Sequence, residues 1–80
     1  MSNWSRKFNE AEEVSGYDLA PGDITVDWFG NLYLIVTAAS RPDGMDVDVI
    51  ERRDLDADGN PIGKFTFMVE AAEPFAKVAS

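Results

Sequence analysis

The sequence contains no cysteine and no histidine. The first absence excludes disulfide bridges and thiolate nucleophiles, and the two together exclude the usual zinc sites and the commonest general base. The longest apolar run, residues 32–36, is five residues long, whereas a membrane-spanning helix needs about 20. We therefore expect a protein that is not an enzyme, carries no cofactor and does not cross a membrane.

Basic residues are also scarce, with seven against fifteen acidic ones, so the formal net charge is -8. A phosphate backbone or an anionic membrane surface would be repelled by such a chain, which disfavours nucleic acid and lipid as partners. The 80 residues are enough for one small module, and 45% hydrophobic content is typical of a chain that folds. No apolar run follows Arg6 and Lys7, so we expect no signal peptide and a cytoplasmic protein.

Alternating apolar residues predict a mainly antiparallel, all-β fold. The predicted strands are residues 24–28, 32–38, 45–50 and 64–69, with a short closing strand at 75–78. Residues 52–63 are polar and rich in turn-forming residues, so they are predicted to be a loop, and residues 71–74 suit one helical turn. In this register Val47 and Phe67 point into the core.

The first twenty residues form an N-terminal extension to a domain at residues 21–80. Trp4, Phe8 and Ala11 fit helical spacing, and Gly16 is suited to end a helix. Residues 8–14 also fit an edge strand. A short helix is the favoured interpretation, with the edge strand as its alternative.

Two segments, Leu19-Ala20-Pro21-Gly22-Asp23 and Gly30-Asn31-Leu32-Tyr33-Leu34, lie in a strand order that resembles small SH3-like β-barrels. The resemblance extends over residues 17–78 and is similar in style to short phage-encoded proteins. It implies a five-stranded SH3-like barrel and a viral or accessory-element product. Its motifs are turn signals, and Trp4 and Trp28 are not adjacent as in proline-peptide-binding modules.

One motif suggests a metal ion. Residues 54–59, with carboxylates at Asp54, Asp56 and Asp58, match the first six positions of a calcium-binding loop. The match ends there, because Phe65 stands where the loop needs its closing glutamate. A solvated turn is the favoured interpretation, and the three aspartates are only a weak metal candidate.

The aromatic pair Trp28 and Phe29 stands at a predicted strand end, where neighbouring side chains point to opposite faces. One of the two is therefore expected to be exposed, unless Trp28 is buried and Phe29 folds over the turn. Asp46 and Asp48 alternate with valines and should share a solvent-exposed face. Their charges would hinder pairing of the sheet edge with other molecules. Trp28, Phe29, Asp46 and Asp48 together predict a surface for non-catalytic binding of another protein.

Two other functions compete with this prediction. An acidic chain can mimic nucleic acid and inhibit a basic enzyme, with a charge array of Asp43, Asp46, Asp48, Glu51, Asp54, Asp56 and Asp58. The chain can also be a structural subunit of a larger assembly that adds a strand through an open edge or through its N-terminal segment.

Overall fold

The structure, a computed structural model, describes residues 11–78, which form one antiparallel sheet. The six strands are β1 (Glu12–Ser15), β2 (Ile24–Val26), β3 (Leu32–Ser40), β4 (Val49–Leu55), β5 (Phe67–Glu70) and β6 (Pro74–Lys77). A single 3₁₀ turn, Gly16–Asp18, follows β1. The predicted all-β, antiparallel class is confirmed.

The strand order is β1-β6-β2-β3-β4-β5, so β1 and β5 are the two edges of the sheet. No pairing joins these edges in the described part of the chain, and the sheet is open where a closed five-stranded barrel was expected. The longest strand, β3, has register shifts between Ile35 and Thr37 and between Thr37 and Ser40. Such irregularities bend a strand and increase its twist.

Apolar side chains cover both faces of the sheet. One core cluster lies on the face of Ile35 and Ile50 and consists of Leu19, Ile35, Ile50 and Ala71. The other cluster lies on the opposite face and consists of Val26, Leu32 and Leu55. Because β3 and β4 contribute to both clusters, these two strands form the centre of the molecule.

The prediction of an N-terminal helix is wrong for the part of that segment that the structure describes. Residues Glu12–Ser15 are an edge strand paired with β6, and Val14 packs on the first core cluster opposite Phe75. Gly16 then lies so close to the backbone of Ala71 that an added Cβ would overlap it. The helical spacing of Trp4 and Phe8 falls outside the described residues.

The third predicted strand, residues 45–50, corresponds to β4, which both begins and ends later in the chain than predicted. Asp46 and Val47 form a bend instead of a strand, and Val47 is 38% exposed where burial was expected. The strand itself, Val49–Leu55, pairs with β3 as far as Leu55 opposite Leu32. Its second half was mistaken for a loop because Arg52 and Arg53 are polar, although long arginine stems pack well along a sheet.

The fourth predicted strand, residues 64–69, corresponds to β5. It begins later than predicted, since β5 comprises only Phe67–Glu70. Phe67 is 51% exposed, which contradicts its predicted burial, and the neighbouring Phe65 is more exposed still. Among the strands that the structure describes, β5 lies at an edge and has a neighbour on one side only. Residues 71–73 are a turn, and the predicted closing strand is confirmed as β6.

Candidate functional site: an exposed aromatic turn

Residues 27–31, here named the aromatic turn, connect β2 to β3. The Asp27 amide donates to the Asn31 carbonyl at 3.0 Å, and the Gly30 amide donates to the Asp27 carbonyl at 3.0 Å. Gly30 has a φ of +86°, the left-handed conformation that closes a three-residue hairpin loop. Gly30 is therefore the residue that lets the chain reverse at this point.

The carboxylate of Asp27 holds the turn from inside. Its Oδ1 accepts from the amides of Phe29 and Asn31, both at 2.9 Å. Its Oδ2 accepts from the Asn31 side-chain amide at 3.1 Å and from the Tyr33 hydroxyl at 2.9 Å. Four donors on one carboxylate fix the backbone at the tip before any partner binds.

The same contacts shift the pKa values of Asp27 and Tyr33. Partial burial alone would raise the pKa of Asp27, but the hydrogen bonds from Asn31, Tyr33 and Phe29 outweigh it and hold the pKa below its ordinary value. Burial, followed by the bond to Asp27, raises the pKa of Tyr33. The Arg52 guanidinium carbon lies 3.9 Å from the centre of the Tyr33 ring, a cation–π contact that anchors the base of the turn to β4.

Both aromatic side chains of the turn face solvent. Trp28 is 73% exposed and Phe29 is 83% exposed, so the interpretation in which Trp28 is buried is wrong. Strand β2 ends at Val26, and the two aromatics occupy the turn itself, where strand alternation does not apply. More of this surface is therefore exposed than the alternation of a strand predicted.

A second turn, residues 56–60 and here named the acidic turn, repeats this geometry. The Asp56 amide donates to the Asn60 carbonyl at 2.8 Å, and the Gly59 amide donates to the Asp56 carbonyl at 3.0 Å. Asp56 Oδ1 accepts from the amides of Asp58 and Asn60, both at 2.9 Å. Gly59 has the same φ of +86° as Gly30.

This geometry explains the calcium-like motif without a metal. One oxygen of Asp56 already accepts two amides inside the loop, which is what a turn aspartate does. Asp54, Asp56 and Asp58 do not form a cluster able to hold a metal ion, and residues 11–78 contain no other such group. The weak metal candidate thus has no geometric support.

The two turns are neighbours at one end of the sheet, because Leu32 follows the aromatic turn and pairs with Leu55, which precedes the acidic turn. A groove of about 230 Å³ lies at this end of the sheet, beside the start of β3 and the end of β4. Its lining residues are Asn31, Leu32, Tyr33, Asp54, Leu55 and Ile62. Ile62 is half exposed and was not predicted as a site residue, because its place beside the end of β4 depends on a bridge between Leu55 and Pro61.

Asp46 and Asp48, the other predicted site residues, lie elsewhere. They precede β4, whereas the aromatic turn lies beyond the opposite end of that strand. Asp48 Oδ2 accepts from the Tyr17 hydroxyl at 2.8 Å, a bond that raises the pKa of Tyr17, and Asp48 pairs with Arg41 at 3.3 Å. The structure therefore brings Trp28 and Phe29 together but does not bring the two aspartates to them.

Comparisons with protein-family models, curated proteins and solved structures found no match to this chain. In residues 11–78 no helix is long and apolar enough to cross a membrane.

Proposed function

We propose that this chain is a non-catalytic protein-binding module that contacts its partner through the aromatic turn. One observation carries the proposal: two large aromatic side chains stand 73% and 83% exposed on a turn that its own aspartate holds rigid. Aromatic anchors of this kind dominate the energetics of protein interfaces. A rigid backbone lowers the entropic cost of binding, since the tip does not have to be ordered by the partner.

The acidic turn beside it indicates the chemistry of the partner. Asp56 and Asp58 follow β4 on the same end of the sheet, and Asp58 is exposed. A complementary surface would offer an apolar pocket for Trp28 and Phe29 with basic groups at its rim. Rim charges of this kind increase the association rate more than the affinity.

The expectations about cellular location, fold relationship and origin are part of the same proposal. A cytoplasmic location, an SH3-like relationship and a phage or accessory-element origin all agree with a small acidic sheet that binds a host or virion protein. The charge of -8 disfavours a nucleic-acid or membrane partner. Neither competing function is favoured by a specific contact of this site, and the salt dependence below distinguishes the nucleic-acid mimic.

The test is affinity capture from the source cell's lysate at low and high salt with three forms of the chain. They are the unchanged protein, a Trp28→Ala/Phe29→Ala double variant and a Tyr17→Ala variant as a control, because Tyr17 is an exposed aromatic bonded to Asp48 at the other end of β4. We expect a partner retained at high salt by the first and third forms, with at least a tenfold loss, about 1.4 kcal/mol or more, for the double variant.

Two results would overturn the proposal. Equal capture by the double variant and the unchanged protein would exclude the aromatic turn as the binding surface. Capture of basic nucleic-acid enzymes that are released as salt rises would instead favour the mimic, because screening weakens contacts between exposed charges. Thermal unfolding of the double variant controls for misfolding.

A further inference from the structure

The two edges of the sheet differ in how they are protected. Strand β1 presents Glu12 and Glu13, both exposed, and charged side chains on an edge hinder pairing with other strands. Strand β5 presents Phe67, Met68 and Val69 before its single charge, Glu70. Met68 is 57% exposed and Phe67 is 51% exposed. The edge at β5 therefore lacks the charged side chains that hinder strand pairing at β1.

The hydrogen bonds to β4 show which backbone groups of β5 point outward. The Ala71 amide donates to the Asp48 carbonyl at 2.9 Å, in the same register as the pair of Val69 with Ile50. Hydrogen-bonded pairs alternate along an antiparallel ladder, so Val69 and Phe67 also bond to β4. The amide and carbonyl of Met68 and Glu70 consequently face away from the sheet.

A second copy of this strand fits that edge. In an antiparallel two-fold pair centred on Met68, the outward groups of Met68 bond to those of the other Met68. Thr66 then stands opposite Glu70 and Phe67 opposite Val69, so no like charges oppose each other. A pair centred on Glu70 would instead place two carboxylates together.

We propose that this chain self-associates by antiparallel pairing of β5 with β5 of a second copy, centred on Met68. The pairing joins two six-stranded sheets into one continuous sheet and covers the exposed side chains of Phe67 and Met68. The strand is only four residues long, so the contact is weaker than a standard interface. It is independent of the aromatic turn, which lies in a different part of the sheet.

The charge of the chain gives the pairing a characteristic salt response. Two copies with a net charge of -8 repel each other, and added salt screens that repulsion. Self-association should therefore strengthen as salt rises, whereas a basic partner strand on the same edge would be released. Sedimentation of the full chain up to about millimolar concentration, at low and high salt, measures this response.

Proline substitutions locate the contact. Met68→Pro removes an outward amide and leaves the ladder to β4 intact, and proline is tolerated at such edge positions. Glu13→Pro is the matched control, because the Gly16 amide bonds to Glu73 and the same alternation turns the Glu13 amide outward on the other edge. We expect Met68→Pro to weaken self-association by about tenfold or more and Glu13→Pro to leave it intact.

A second pair of variants keeps the test decisive if a proline prevents folding. Met68→Lys places two cations opposite each other at the two-fold axis, and Glu13→Gln makes the same change in net charge on the other edge. Only Met68→Lys should weaken the dimer. The proposal is overturned by a strict monomer at millimolar concentration and high salt, or by a dimer that Met68→Pro and Met68→Lys both leave unchanged. Dilution-dependent amide shifts at residues 28–29 instead of 66–70 would also overturn it.

Discussion

The aromatic turn and the acidic turn have the same backbone but different tips. Each follows the pattern Asp-x-x-Gly-Asn, with aspartate Oδ1 accepting two amides and glycine at a φ of +86°. The two intervening residues are Trp28 and Phe29 in one turn and Ala57 and Asp58 in the other. Because the acidic turn forms without aromatics, the fold does not require them at the tip of the aromatic turn. Their exposure is the observation on which the proposed binding role rests.

The two turns also differ in how firmly they are joined to the sheet. Asp27 accepts two further bonds at Oδ2, from Asn31 and from the Tyr33 hydroxyl. Tyr33 is in turn covered by Arg52 of β4. Among residues 11–78, the side-chain bonds of Asp56 are those to the amides of its own loop. The turn that carries the aromatics is thus the one anchored to a neighbouring strand.

The largest expected effect comes from removing the aspartate of the aromatic turn, compared with its counterpart in the acidic turn. Asp27→Ala leaves the Tyr33 hydroxyl and two amides without their acceptor and should lower the free energy of unfolding by about 2 to 3 kcal/mol. Asp56→Ala should cost about 1 kcal/mol, because only loop amides lose a partner. Urea unfolding of both variants measures the difference. Equal losses would mean that the hydrogen bond from Tyr33 to Asp27 adds nothing to the free energy of unfolding.

Replacing the glycines should have a smaller and equal effect. Gly30→Ala and Gly59→Ala each force a side chain into the left-handed region, at a cost of about 1 kcal/mol. Equal shifts in the unfolding midpoint would show that the two backbones are energetically alike. A clear difference between the two variants would break the equivalence of the turns.

The smallest effect is expected from pH. The folded pKa of Asp27 lies below its ordinary value, so its contribution to stability is present above the unfolded pKa of about 3.9 and is lost as pH falls through the folded pKa. The stability advantage of the unchanged protein over Asp27→Asn should shrink from about pH 6 to about pH 3. An advantage that stays constant over this range would contradict the lowered pKa.

Much of the fold could be predicted because local chemistry specifies it. The turns at Gly22, Gly30, Gly44 and Gly59 have the positive φ that favours glycine, and they separate the chain into strands. The alternation of Ile24 and Val26 and the apolar run from Leu32 predicted two strands, which the structure pairs as β2 and β3. The polar second half of β4 escaped prediction, because its strand conformation comes from pairing with β3 and not from its own residues.

The candidate site was only partly predictable for a related reason. Trp28 and Phe29 are adjacent in the sequence, so their joint importance could be proposed from their positions alone. Ile62 could not be proposed, since it reaches the groove only after the chain has passed through the acidic turn and bridged back at Pro61. Asp46 and Asp48 were assigned to this surface because the end of β4 at which they lie was not known.

The sequence by itself determined the all-β class, the positions of the turns and the acidic, cysteine-free character of the surface, since these depend on residue type and short-range spacing. Only the tertiary structure decided where β4 and β5 begin, that Phe67 lies on an open edge and that both aromatics of the turn are exposed. Those outcomes depend on which strand pairs with which, and pairing between distant segments is set by the packing of the whole sheet.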